Sequence, residues 1–226
     1  MLRPGTSRGW GMSNGAATRI RRSRAKILAA AEDVFLKLGF LGANMDMIAG
    51  RAGVSKQTVY AHFKSKEALF IEVVKTMTAG AAQEIGKDVE EVFDGRSVED
   101  YLLDVAIAHL TVVLTPRLMR LRRMVIGEVE RFPELGQSLY LNGPMRSIRQ
   151  FTRALEHYAR IGQIETPDAE LAATHFNWLV MGGPTSAAML LGDDGIPGEA
   201  LLRAHARDAV RIFLSAYASR NKGDGS

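Results

Sequence analysis

The stretch NMDMIAGRAGVSKQTVYAHFKSKEALF, residues 44–70, decides the fold of this chain because it specifies two short helices, a tight turn and the start of a third helix. Asn44, Ser55 and Ser65 each precede a run of helix-forming residues and are predicted to cap it. Gly53 has the backbone freedom that ends the first helix. Apolar residues recur three or four positions apart in that helix, so one of its faces can be buried.

The second of these helices divides its side chains between a core and solvent. Val59 and Phe63 are predicted to be buried. The face that remains in solvent is polar and carries Lys56, Gln57, Thr58 and Tyr60. Two helices that meet at a steep angle around a glycine-containing turn form the unit that places its second helix in the major groove of DNA. Most such corners in helical proteins bind nothing, so the pattern alone leaves DNA recognition as one of two interpretations.

The identity of the residues favours DNA recognition. The segment resembles the DNA-binding domain of the TetR family of bacterial transcriptional regulators, whose signature combines Ile-Ala, Ala-Gly-Val-Ser, Thr-x-Tyr-x-x-Phe and Lys-Glu-x-Leu. The matching residues here are Ile48, Ala49, Ala52 to Ser55, Thr58, Tyr60, Phe63, Lys66, Glu67 and Leu69. Asn44 stands where the family most often has Thr, and Asn is an equally good cap.

The resemblance also implies roles for individual side chains. Lys56 and Gln57 match the positions that address base edges. The positions that usually touch phosphates correspond to Ser55, Thr58, Tyr60, His62 and Lys66. Hydroxyls, a phenol and cations near a helix start are suitable phosphate partners, and Asn44 completes the predicted DNA-binding set. Alternatively, the ring of Tyr60 packs on the first helix and leaves only its hydroxyl free.

The charge of the chain is unevenly distributed. Residues 1–66 hold 12 Lys or Arg against 3 acidic residues, a balance of +9, whereas the remainder sits at −5, for a net charge of +4. A polyanion bound at the basic end would be held in a salt-dependent way, while the acidic remainder would stay off the DNA. For single residues such as Arg3 and Arg8, a basic tail that only maintains solubility is the alternative.

Composition excludes several classes of protein. There is no cysteine, which excludes disulfides, thiol catalysis and cysteine-ligated zinc, and which suits a reducing cytoplasm. No apolar run approaches the roughly 20 residues of a membrane-spanning helix, and the N-terminus lacks the apolar core of a secretion signal. We therefore expect a soluble, cytoplasmic protein with no membrane partner.

The chain as a whole is predicted to be all-α, with about nine helices in two domains. We expect a flexible basic arm (residues 1–18), a three-helix helix-turn-helix DNA-binding domain (19–66), a helical ligand-binding and dimerisation domain (67–220) and a short tail (221–226). The first helix should end at Gly39, the fourth should run from Glu67 to about Val92, and later helices should be interrupted near Gly143 and at residues 182–184. The tract from Met124 to Pro144, MVIGEVERFPELGQSLYLNGP, also resembles the C-terminal domain of AefR-like regulators.

A ligand pocket is expected among the middle helices, with Met and aromatic walls that suit an apolar or aromatic effector. The candidate lining residues are His109, Met119, Met124, Phe132, Tyr140, Phe151, His175, Trp178 and Met181. For each of these residues, core packing is the alternative role. The last two helices are expected to form a homodimer interface through Trp178, Leu179, Val210, Phe213, Leu214 and Tyr217.

Together these observations predict a TetR-type regulator, a repressor of which two copies bind a palindromic operator in double-stranded DNA and a small effector changes the affinity. A helical adaptor without sequence-specific DNA binding is one alternative, and a helical enzyme is another. The five histidines are scattered, and no HExxH pair, Gly-rich phosphate loop or GxSxG elbow is present. We therefore predict no catalytic residue, no metal and no cofactor.

Overall fold

A computed structural model describes residues 14–88 and 95–219. Over these ranges the chain forms ten α-helices and a short 3-10 helix, Gly192–Gly195, so the all-α class is confirmed. The helices are α1 Asn14–Gly42, α2 Met45–Ala52, α3 Lys56–His62, α4 Lys66–Asp88, α5 Val98–Val113, α6 Pro116–Glu128, α7 Pro133–Asn142, α8 Pro144–Arg160, α9 Ala169–Leu190 and α10 Glu199–Tyr217. The expectations for residues 1–13, for the end of the fourth helix near Val92 and for the tail lie outside the described residues.

Two compact units make up the chain, Met1–Val73 and Val74–Ser226. The division falls inside α4, whereas the sequence placed a domain boundary before Glu67. The start of α1 also differs from expectation, since residues 14–18 are helical and not part of a flexible arm. Ala16 and Ala17 are strong helix formers, which accounts for the earlier start.

The first unit is built on the capping signals that the sequence carries. The Met47 N–H donates to Asn44 Oδ1 at 2.9 Å, and the Thr58 N–H donates to Ser55 Oγ at 3.1 Å. Gly53 ends α2 in the left-handed region at φ 66°, which a side chain would disfavour. Ser65 caps α4 as predicted. An apolar core of this unit includes Ile27, Phe35, Ile48, Val59, Phe63 and Phe70.

The second unit is a helical domain with one continuous core. Helix α8 packs on α9, and α10 packs on both α5 and α9. Aromatic residues from four of these helices lie at the centre, namely Tyr101, Phe151, Tyr158, Phe176 and Phe213. Helices α7 and α8 are separate because the chain turns at Gly143, where a Cβ would lie 2.8 Å from the Leu139 carbonyl oxygen, and because Pro144 can start a helix without an N–H.

Helix α9 departs from the sequence prediction because it passes through the Gly182–Pro184 segment and ends only at Leu190. Proline removes the hydrogen bond that the carbonyl four residues earlier would accept. That carbonyl belongs to Val180, and it accepts instead from His205 Nε2 of α10 at 2.8 Å. The bond from α10, together with the burial of Pro184, Thr185 and Ala188, explains why the helix continues.

Within the described residues, no single helix has the length and apolar character needed to cross a membrane. Helices α5 and α6 meet the length and composition test only as a pair, and they are bent by 71° at their junction.

Candidate nucleic-acid interface and ligand cavity

The candidate nucleic-acid interface is the solvent-facing side of residues 44–66, which we call the helix-turn-helix corner. Helix α3 turns Val59 into the core with no exposed surface, and Phe63 behind it is 4% exposed, as predicted. Lys56, Gln57 and Tyr60 are exposed on the other side of the same helix. The side of α3 that the core does not use therefore displays the side chains expected to read DNA.

Lys56 is exposed but already has an acidic neighbour. Its Nζ donates to Asp46 Oδ2 at 2.9 Å, and this hydrogen bond together with the carboxylate charge raises the pKa of Lys56. Asp46 lies in the first turn of α2, where a carboxylate complements the helix dipole. Lys56 would have to leave Asp46, or share it, in order to contact a base or phosphate.

The capping side chains of the corner keep only part of their hydrogen-bonding capacity. Ser55 Oγ accepts from the Thr58 backbone and lies 2.8 Å from Thr58 Oγ1. Asn44 uses its carbonyl oxygen as the cap of α2, so its amide N–H groups remain for a phosphate. His62 is half-buried at the end of α3.

Lys66 is held inside the first unit. Its Nζ donates to the carbonyl oxygens of Phe40 at 2.9 Å and Ala43 at 3.1 Å, and lies 4.3 Å from the centre of the Phe40 ring. Gly39, where the first helix was predicted to end, has non-helical angles (φ 73°, ψ 172°), and Lys66 supplies a partner to carbonyls of the segment that follows this break. The structure thus gives this ammonium a structural role, and the phosphate contact that the resemblance implies remains a prediction.

Other basic residues of α1 differ in their partners. Arg24 forms an ion pair with Glu72 and lies over the Phe63 ring, whereas Arg19, Arg21 and Arg22 are exposed. These three guanidinium groups have no acidic partner within residues 14–88 and 95–219, and they add to the positive potential of the unit.

The second unit contains a cavity of about 90 Å³ between α4, α5, α6, α7, α8 and α9. Four of the nine predicted residues line it: His109, Met119, Trp178 and Met181. Its wall is otherwise a mixture of apolar and polar side chains. These include Ile85, Val113, Leu118, Leu121, Arg122, Leu139, Asn142, Arg146, Ser147, Gln150 and Asn177.

The other five predicted pocket residues lie elsewhere. Phe151 is buried behind the wall, with its ring centre 5.0 Å from that of His109 and close to Phe176. Tyr140 is 51% exposed, and His175 bonds the Tyr217 hydroxyl at 2.7 Å at the surface. Met124 and Phe132 are half-buried outside the lining. Helical spacing identified these residues as inward-facing or aromatic but could not tell which of them border a void.

His109 is the buried polar centre of the wall. The Val105 carbonyl can only accept, so Nδ1, 2.8 Å from it, carries the proton, and Nε2 accepts from the Ser147 hydroxyl at 3.1 Å. Burial lowers the pKa of His109 from 6.5 to about 4, and the bond to Val105 only partly opposes that shift. His109 is therefore neutral at physiological pH.

Arg122 and Asn177 were missed from sequence. Asn177 is 3% exposed, and burial lowers the pKa of Arg122. The spacing of α6 held a signal for Arg122, because it follows Met119 by three residues and Leu118 by four and must share their face. Among the described residues, neither side chain has a hydrogen-bond or ion-pair partner.

The predicted dimer residues divide into two groups. Val210 and Phe213 are 2% and 1% exposed in the core of the chain, so their assignment to an interface is wrong. Their helical spacing comes from packing against α5 and α9 within the chain. Leu179, Leu214 and Tyr217 are half-buried, and Trp178 is exposed. The large apolar side chains that α9, α10 and the connection between them leave in solvent are Leu171, Trp178, Leu190, Leu191, Leu201 and Ile212.

No three His, Cys, Asp or Glu side chains in the described parts of the chain are grouped so that they could hold a metal ion.

Comparison with protein families matches both parts of the chain. Residues 27–73 match the model described as bacterial regulatory proteins of the tetR family. Residues 100–219, more than half of the chain, match the C-terminal domain of AefR-like transcriptional repressors. The second match confirms the AefR-like resemblance of residues 124–144.

Solved structures resemble the chain over most of its length. A protein from Mesorhizobium loti MAFF303099, described as a TetR-family transcriptional regulator, is 32% identical with a TM-score of 0.83, and the match covers 88% of this chain and 98% of that one. The flavonoid-responsive regulator FrrA is 30% identical with a TM-score of 0.73, over 88% and 99% of the two chains.

Curated relatives are similar over a shorter range. The HTH-type transcriptional activator FasR of Mycolicibacterium smegmatis (strain ATCC 700084 / mc(2)155) is 48% identical over 52 residues, which are 23% of this chain and 24% of that protein. The chain thus spans about a quarter of the length of this curated relative.

Proposed function

Because this chain belongs to the TetR family of bacterial transcriptional regulators, we propose that it acts as a repressor on a palindromic operator and that a small apolar or aromatic effector changes its DNA affinity. Its class is that of a DNA-binding transcriptional regulator and not of an enzyme. The observation that carries the proposal is the exposed polar face of α3, with Lys56, Gln57 and Tyr60 opposite the buried Val59. Action on DNA in a bacterium also implies a cytoplasmic protein.

On the DNA, Lys56 and Gln57 are proposed to reach base edges, because long side chains with amine and amide groups match the major-groove pattern. Tyr60, Thr58 and the amide group of Asn44 are proposed to bind phosphates. His62 and Ser55 belong to the same set, since both lie at an end of α3. Lys66 stabilises the fold of this surface through its hydrogen bonds to the Phe40 and Ala43 carbonyl oxygens.

The dimer is proposed to form through α9 and α10, since one recognition helix in one groove offers little area. The exposed apolar side chains of these helices replace the buried pair Val210 and Phe213 in the proposed interface. Leu171 and Leu201 are 51% and 68% exposed, and surfaces of this kind are typical of homodimer contacts. A two-fold dimer would read two half-sites about 34 to 36 Å apart, or a multiple of that spacing.

The effector is proposed to enter the cavity of the second unit. FrrA, one of the similar solved proteins, is named as flavonoid-responsive, which supports an aromatic effector here. The AefR-like family match supports a repressor, whereas FasR is named as an activator. The change in affinity cannot exceed the difference between the effector's binding free energies to the two states of the dimer.

The test of DNA recognition is to sequence the genomic fragments that the purified protein retains. We expect a self-complementary sequence, bound with a steep salt dependence. Lys56→Gln should reduce retention, while Lys37→Gln, which removes an exposed cation on α1, should not. Retention of random fragments, or equal effects of the two substitutions, would contradict sequence-specific reading by α3.

The test of the dimer uses light scattering on purified variants. Leu171→Glu and Leu201→Glu should give monomers that lose operator binding, because charges would be buried at the interface. Ile126→Glu is the matched control, since Ile126 is 55% exposed on α6. A wild-type monomer, or a dimer that survives both substitutions, would exclude this interface.

A further inference from the structure

Arg122 differs from Arg120 and Arg123 on α6 in that no described residue gives it an acidic partner. Arg120 Nε donates to Asp193 Oδ2 at 2.9 Å, and Arg123 Nη2 donates to Asp193 Oδ1 at 2.6 Å. Both oxygens of that carboxylate are thus occupied by the flanking arginines. Arg122 lies between these two arginines in sequence but lines the cavity. It has no ion-pair partner in the described part of the chain.

The lining of the cavity offers no negative charge to this cation. The twenty described residues of its lining include neither Asp nor Glu, and their charged members are Arg122 and the exposed Arg146. His109 is neutral because burial lowers its pKa to about 4, and its Nδ1–H is used by the Val105 carbonyl. Arg122 is half-buried, and an unpaired charge that is partly removed from water is costly. A bound carboxylate would lower that cost while forming two parallel hydrogen bonds with the guanidinium.

Asn177, on α9, is a second residue of the lining without a side-chain partner among the described residues. The side chain of Asn177 on α9 is 3% exposed and has no hydrogen-bond partner within residues 14–88 and 95–219. An amide offers both donors and an acceptor. The Asn177 amide can therefore form a hydrogen bond with a carboxylate oxygen or a hydroxyl of the ligand that binds Arg122. A purely apolar ligand would leave the Arg122 guanidinium and the Asn177 amide without partners.

The size and the apolar part of the wall limit the remainder of the ligand. The volume is about 90 Å³, and a dry apolar cavity of about 150 Å³ accepts benzene. Leu118, Met119, Trp178 and Met181 supply apolar surface around it. The apolar body of the ligand should therefore be no larger than one aromatic ring or a short alkyl chain.

We infer that this cavity binds a small aromatic or short-chain carboxylate, with its anionic group on Arg122, its polar contact at Asn177 and its apolar body against Trp178. The inference rests on the proposed function in that it names the chemical class of the effector. Neutral and cationic analogues of the same shape should bind weakly, because only the anion pairs with the guanidinium.

The experiment measures ligand binding without DNA, so that its outcome is separate from that of the operator test. The chain has two tryptophans, and a Trp10→Phe background leaves Trp178 as the fluorescent probe in the wall. Benzoate, phenylacetate and hexanoate are titrated beside their amides and beside benzylamine, with calorimetry as a second readout. We expect at least one carboxylate to bind about tenfold or more tightly than its amide, and benzylamine not to bind.

Matched arginine substitutions test whether Arg122 supplies the guanidinium that binds the carboxylate. Arg122→Gln should remove the preference of acid over amide, while Arg149→Gln, at an exposed arginine on α8 outside the cavity, should keep it. A fold check by circular dichroism accompanies each variant. The inference is overturned if no carboxylate in the panel saturates the protein, if amides bind as well as acids, or if Arg146→Gln removes the preference and Arg122→Gln does not.

Discussion

Helix α3 of the first unit presents Lys56 to solvent with Asp46 bonded to it, whereas α6 of the second unit keeps Arg122 against a cavity with no acidic partner among the described residues. Both are long cations on helices, yet their surroundings are opposite. The exposed cation is screened by water and by its neighbour, so it can exchange one partner for another at little cost. The half-buried cation is screened less by water, so it gains more from one specific anion.

This difference indicates what each surface can recognise. An exposed polar face suits a large polyanion, which brings many weak contacts and strong salt dependence. A half-closed cavity suits one small ligand, which is selected by shape and by a single charge. The predictions below test whether the contrast between exposed and buried polar groups holds, beginning with the largest expected effect.

Tyr60→Ala should abolish operator binding at moderate salt. Tyr60 is 44% exposed on α3 and its hydroxyl has no hydrogen-bond partner among the described residues, so the change removes a phosphate contact without opening the core. The measurement is a gel shift with the selected operator, with circular dichroism to verify the fold. Tyr60→Phe separates the hydroxyl from the ring, and unchanged affinity of a folded Tyr60→Ala variant would remove α3 from the proposed interface.

The pH dependence of the free energy of unfolding tests whether His109 is buried in the second unit. Its folded-state pKa is about 4 against an ordinary 6.5, so between these values the unfolded chain binds the proton and the folded chain does not. The free energy of unfolding should therefore fall as pH falls through that window, with a contribution on the order of 3 kcal/mol from this group.

Urea unfolding at pH 7 and pH 4 measures the effect. His109→Gln keeps hydrogen-bonding capacity and cannot titrate, so its stability should change less over the same interval. Equal pH dependence in the two proteins would mean that His109 is hydrated in the folded state.

Lys66 is a partly buried cation of the first unit, so it extends the comparison between the exposed Lys56 and the less exposed Arg122. Lys66→Met removes two hydrogen bonds to the Phe40 and Ala43 carbonyls and should reduce the free energy of unfolding by about 2 kcal/mol. Lys64→Met, at an exposed neighbour, should have little effect. If Lys66 binds a phosphate instead, the salt slope of operator binding should fall by about one while the stability stays constant.

The smallest effect is expected at Asp46. Asp46→Asn releases Lys56 and removes a negative charge next to the proposed DNA surface, so the operator affinity should rise by a few-fold. Asp33→Asn removes a comparable exposed ion pair, with Arg51, and is the control. Fluorescence anisotropy with labelled operator measures both, and a decrease in affinity for Asp46→Asn would show that Asp46 orients Lys56 for binding.

The corner could be predicted from sequence because its signals are local. Asn44, Ser55 and Gly53 act on backbone groups within four residues of themselves, and the structure confirms all three roles. Burial of Val59 followed from helical spacing alone. Lys66 was the exception, since its partners lie 23 and 26 residues earlier in the chain.

The second unit was less predictable because its features depend on distant elements. The cavity takes its wall from six helices, so the periodicity of any one helix cannot show which inward residues border the void. Val210 and Phe213 have the spacing of both core and interface residues, and only their neighbours on other helices distinguish the two. Arg122 is the exception, because a cation that shares the face of Leu118 and Met119 on α6 is a local signal.

The bond from His205 to the Val180 carbonyl has a mechanical consequence. The same helix, α9, bears Trp178 and Asn177 on its cavity side and exposed leucines near its ends. A proline in mid-helix would ordinarily serve as a hinge, but here the freed carbonyl is tied to α10. We therefore expect α9 and α10 to shift as one rigid pair, so that a displacement imposed by a ligand reaches the exposed leucines without being absorbed at Pro184.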